Sequence, residues 1–106
     1  MSGEEAGYYN AGNYTEEQIN RKVTYVVETI EGNNYVFVGT VTITMREVYD
    51  AMDATHDIAH NMPSKFARRH AEQKYPEANP TIVMTKEEWE EKYGKVENYK
   101  AGDVVK

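Results

Sequence analysis

The 106-residue sequence contains no cysteine and no leucine, only two serines (Ser2 and Ser64) and three prolines. Without cysteine there are no disulfides, no thiolate metal ligands and no cysteine nucleophile, as fits a reducing compartment. Leucine is ordinarily among the commonest residues, so the core has to be assembled from Val, Ile, Met, Phe and Tyr. Ser2 stands at the terminus and Ser64 at a helix-cap position, and neither lies in a G-x-S-x-G elbow. A Gly-rich phosphate loop is also missing. No apolar run approaches the ~18 residues of a membrane span. The start, Met1-Ser2-Gly3-Glu4-Glu5, has neither the basic residues nor the apolar stretch of a signal peptide. The expectation from these absences is a soluble, cytoplasmic chain with no membrane partner.

The length fits one domain. The net charge is -6, from 12 Lys+Arg against 18 Asp+Glu. A balance of this sign disfavours nucleic acid and favours a basic protein partner. One segment runs against it: residues 64–75 carry +3, from Lys65, Arg68, Arg69 and Lys74 against Glu72. With His70 they form a basic helical face. Phosphate contacts dominate nucleic-acid affinity, but acidic segments on either side repel a polyanion, so this face is expected to be solvated.

Residues 1–14 mix Gly, Asn, Glu and Tyr without a period and read as an N-terminal arm, leaving residues 15–106 as the domain. Three of the nine tyrosines, Tyr8, Tyr9 and Tyr14, lie in the arm. Tyr, Gly and Asn together give large contact area on an adaptable backbone, a composition favoured in binding loops. The arm is expected to pack on the sheet of its own chain or of a neighbour, so that a homo-oligomer or an assembly subunit is one reading.

Val23–Ile30 and Tyr35–Ile43 are rich in β-branched and aromatic residues. Glu31-Gly32-Asn33-Asn34 between them tolerates the positive φ of a tight turn, and the three segments together predict a β-hairpin. By strict alternation Tyr35, Phe37, Val41 and Ile43 share the core face, while Val36, Val38, Thr40 and Thr42 share a half-apolar face that needs a cover. Thr15, Thr44 and Thr85 each stand three residues before Gln or Glu, the spacing of a capping box. A helix is expected from Thr44 to near Asn61, ended by Pro63. A second, capped by Ser64, runs to about Lys74 with Phe66, Ala67 and Ala71 inward. Thr81–Met84 reads as a third strand, Lys86–Tyr93 as a helix stopped by Gly94, and Asp103–Val105 as a short final strand. The fold class is α+β: a small antiparallel sheet built on the hairpin, with helices on one face, in the order ββααβα plus the short strand.

Two constellations carry candidate chemistry. On a helix continuing to Asn61, His56 and His60 are i and i+4 and share a face with Asp53, a donor set suited to Zn²⁺. His56-Asp57-Ile58-Ala59-His60 resembles the zincin H-E-x-x-H motif, with Asp57 in place of the glutamate that serves there as general base. That resemblance implies a metal-dependent hydrolase; it covers five residues and no downstream zincin motif is present. The candidate third ligand is His70, placed by helical stepping toward the inner arc of the next helix. The competing reading is two histidines at a helix margin paired with aspartates. The second constellation is the helix Lys86–Tyr93, where Glu87, Glu88, Glu90 and Glu91 surround Trp89 and Tyr93. It reads either as an acidic surface with an aromatic anchor for a basic partner or as aromatics docked in the core with glutamates in water. The leading expectation is a non-enzymatic, cofactor-free protein-binding module working through an acidic, Tyr-rich surface. By class-level analogy this is the manner of phage-type inhibitors or viral accessory proteins.

Overall fold

A computed structural model describes residues 15–56 and 61–105, and the expected hairpin is its centre. Strands β1 (Lys22–Glu31) and β2 (Asn34–Thr44) pair antiparallel. Gly32 opens the two-residue turn with φ of 62°, and a glycine at the first central position is what a type II′ turn requires. Strand β3 (Ile82–Thr85) pairs antiparallel with β1, and β4 (Val104–Val105) with β2, giving the sheet order β3-β1-β2-β4. The α+β class, the antiparallel sheet and the short last strand are as the sequence predicts.

A bulge decides which side chains meet. Pairing runs in step from Lys22↔Thr44 to Val27↔Gly39 and then jumps to Glu28↔Phe37. Val38 is the extra residue, so Val38 and Gly39 together face Val27, and β2 changes parity across them. Val41 and Ile43 therefore join Tyr25, Val27 and Val38 in one core, while Phe37 joins Val26 in another. The expected sharing of a face by Phe37, Val41 and Ile43 is corrected here, because alternation holds only along an uninterrupted ladder.

Both faces of the sheet are covered. Helices α2 (Met45–Thr55) and α3 (Pro63–Lys74) bury Val48, Met52, Phe66, Ala67 and Ala71 against Tyr25, Val27, Val41 and Ile43. Helix α4 (Lys86–Tyr93) lays Trp89 against Val26, Phe37 and Val105, with Tyr93, Val96 and Tyr99 around it. Val26 and Val27 are neighbours on one strand, so the two clusters lie on opposite faces. The single helical layer expected from the sequence holds for α2 and α3 and fails for α4. The unbroken buried run Tyr25-Val26-Val27-Glu28-Thr29 is what a strand covered on both faces carries in place of alternation.

Helix termini follow the expected caps in part. Thr15 forms a reciprocal capping box on α1 (Glu16–Ile19), and Thr85 Oγ1 accepts from the Glu88 N–H. Thr44 caps α2 without a side-chain bond, and the Glu47 carboxylate that would complete a capping box turns to His70 of α3, with Oε1 2.9 Å from Nε2. Helix α2 does not reach Asn61. It ends at Thr55, with His56 left-handed (φ 55°) and the His56 N–H donating to the Met52 carbonyl at 2.7 Å. Asn61 Nδ2 donates to Thr55 Oγ1 at 2.8 Å and ties the far side of the connection to this end. Pro63 does not end a helix: it opens α3 at the first position, where its missing N–H costs nothing, and Met62 rather than Ser64 is the N-cap. Among the described residues, no helix is long and apolar enough to cross a membrane.

Candidate interaction surfaces

The acidic helix α4 is set by its ends and by one anchor. Thr85 Oγ1 also donates to Glu88 Oε1 at 2.9 Å. At the other end Gly94, with φ of 97°, closes the helix through its N–H to the Glu90 carbonyl at 2.9 Å. Between them Trp89 is wholly buried and its indole N–H donates to Glu28 Oε2 at 2.6 Å. Its ring meets Tyr93 at 5.1 Å, Phe37 at 5.8 Å and, edge-on, Tyr99 at 4.8 Å. Such ring pairs add about 0.5–1.5 kcal/mol each beyond the area they bury.

This geometry divides the residues expected to bind a partner. Trp89 is corrected from partner anchor to core anchor, since no surface of it remains to be touched. Glu90 is half-buried and its Oε2 accepts from the Val96 N–H at 2.9 Å, so its carboxylate serves the turn that follows the helix. Glu87, Glu88 and Glu91 stay exposed. The negative charge reaches inward as well: burial, and secondarily the Glu88 carboxylate, push the Tyr25 phenol above its ordinary value.

The arm tyrosines Tyr8, Tyr9 and Tyr14 lie outside the described residues. Part of the half-apolar face assigned to the arm has other cover, because Tyr75 and Ala78 pack on the cluster that holds Val38. Tyr75 is a residue that sequence reasoning missed. Its hydroxyl accepts from the Thr40 N–H (3.2 Å) and donates to the Thr40 carbonyl (3.0 Å), and its ring fills the space where a Cβ on Gly39 would stand. The one available signal was the glycine in mid-strand, which often marks a bulge or a close approach.

The histidine constellation loses its scaffold. Asp53 is half-buried on α2 and His56 exposed at the cap beyond it. His60 and Asp57 lie outside the described residues. The zincin pattern needs both histidines on one helical face, and α2 stops before His56. His70, the expected third ligand, is bonded to Glu47. Among the described residues, no three His, Asp or Glu side chains are grouped to hold a metal ion.

On the basic helix α3, Lys65, Arg68 and Arg69 are exposed and Arg69 lies 5.5 Å from the centre of the Phe66 ring. Lys74 is tied to the Thr40 carbonyl at 3.0 Å. Glu28, also missed, is the one acidic residue in the middle of β1, and a lone carboxylate in such a run signals a buried donor waiting for it. Comparison of the chain with protein-family models, with curated proteins and with solved structures found no match.

Proposed function

We propose that the chain is a non-enzymatic binding protein that engages a basic surface of another protein through Glu87, Glu88 and Glu91, as an inhibitor or accessory protein would. The observation that carries this reading is the pairing of exposed carboxylates with a wholly buried anchor on the same helix. Trp89 and its bond to Glu28 fix α4 from beneath, so the three carboxylates are presented without the cost of ordering a backbone on binding. Charged groups of this kind steer encounter and select against partners of like sign. The net charge of -6 acts in the same direction at longer range.

The test compares the tagged chain with an E87Q/E88Q/E91Q variant in extract of the native host, at low and raised salt. The protein retained by the parent chain is then purified and its binding kinetics measured. The expected result is a protein with a basic surface whose association slows with salt and whose retention the variant loses. A partner that binds the variant equally well, at a rate indifferent to salt, overturns the reading.

A further inference from the structure

A second acidic feature lies on the opposite face of the sheet from α4, and it is a cleft. Three segments wall it: the hairpin end of the sheet (Thr29, Glu31, Val36, Val38), the turn after α3 (Tyr75, Glu77, Ala78) and the turn before β4 (Ala101, Gly102). Each wall is tied to the same strand pair. Thr29 Oγ1 donates to the Asn79 carbonyl at 2.9 Å, Tyr75 is held on Thr40, and the Gly102 N–H donates to the Phe37 carbonyl at 2.9 Å. The cleft is therefore preformed.

Its chemistry is of two kinds. The floor is apolar, from Val36, Val38, Ala78 and the flank of Tyr75. Among the described residues, the charged ones lining it are Glu31 and Glu77, both exposed, and no cation lines it. An apolar channel that ends at carboxylates complements a long aliphatic stem carrying a positive head, the way Lys and Arg stems lie on apolar surface while the charge stays wet. The volume, about 280 Å³, falls below the roughly 300–1,000 Å³ of cofactor and drug-sized sites and suits one side chain.

We infer that this cleft receives a single lysine or arginine side chain from a protein partner, with the stem on Val36, Val38 and Ala78 and the head between Glu31 and Glu77. The inference rests on the proposed function only for the macromolecule that carries the side chain.

Butylammonium, a lysine side chain without its backbone, is titrated into the isotope-labelled full chain, with n-butanol as the uncharged control. Saturable amide shifts are expected at Thr29, Val36, Val38, Ala78 and Gly102. Affinity should fall about threefold or more in E31Q/E77Q, the scale of exposed ion pairs, with amides remote from the cleft unmoved to show that the variant is folded. Butanol should give no saturation. Absence of saturable shifts, equal affinity in the variant, or equal binding of butanol overturns the inference. Because no partner is present, this result is independent of the α4 test: a chain that takes butylammonium while its partner ignores α4 keeps the cleft and loses the proposed function.

Discussion

The indole N–H of Trp89 donates to the Glu28 carboxylate across 2.6 Å of protein interior, joining α4 to the central strand β1. Glu28→Ala leaves a buried donor unpaired and should cost about 1–3 kcal/mol, whereas Glu28→Gln keeps an acceptor and should cost less. Trp89→Ala should cost about 3–5 kcal/mol. Urea unfolding of the three variants checks the order, and a Gln variant weaker than the Ala variant would contradict it.

Gly39 is tied to Tyr75 by space. A Cβ there would stand 2.7 Å from the Tyr75 Cζ and closer still to its hydroxyl. Gly39→Ala should therefore destabilise by about 1–3 kcal/mol. In a Tyr75→Phe background the clashing oxygen is gone, so the same substitution should cost less. A double-mutant cycle reads the coupling, and strict additivity would show that the two residues do not compete for one volume.

Stability should fall on the alkaline side above about pH 10. The folded-state value of the Tyr25 phenol lies above its ordinary 10.0, so the native chain holds this proton more tightly than the unfolded chain. The resulting contribution is complete below about pH 10 and is lost as pH rises through the folded value. Urea midpoints followed upward from neutral pH should drop less steeply in Tyr25→Phe than in the parent. Parallel curves would remove Tyr25 as a source of the loss.

Zinc is expected to leave the chain unchanged. With α2 ended at Thr55 and His70 bonded to Glu47, protein purified without a histidine tag should carry no stoichiometric metal, and added zinc should not raise its Tm. One equivalent of bound metal, lost in His56→Ala or His60→Ala, would restore the metal reading.

The hairpin, the cap residues Thr15, Thr44 and Thr85, the bounds of α4 and the inward Phe66, Ala67 and Ala71 of α3 were legible because each is a local pattern. What failed depended on distant partners. The bulge at Val38 and the tyrosine that lies against Gly39 are separated by more than thirty positions in the chain, so alternation in β2 gave no notice of the change of face. The side taken by α4 was set by Val26, Phe37 and Trp89 together, although the buried run from Tyr25 to Thr29 carried the hint. The stop at His56 changes the role of the next proline, which is expected from the sequence to close a helix and opens one here. Of the candidate acidic surface, the exposure of Glu87, Glu88 and Glu91 followed from helical spacing. The buried fate of Trp89 could not be separated from an exposed one without knowing that Glu28 waited opposite.

The paired bonds of Tyr75 to Thr40 also govern how this sheet meets other chains. Along the outer side of β2, the N–H and carbonyl of Phe37 are taken by Asp103 and Gly102, and those of Thr40 by the phenol, with the Lys74 ammonium added on the carbonyl. A foreign strand approaching that margin finds no continuous row of open backbone groups to copy. Margins left open are where sheets add strands and grow into aggregates. A chain with two long strands dense in valine, isoleucine and tyrosine has the outer margin of β2 from Tyr35 to Thr40 taken up by one tyrosine, one lysine and a two-residue strand with the turn before it.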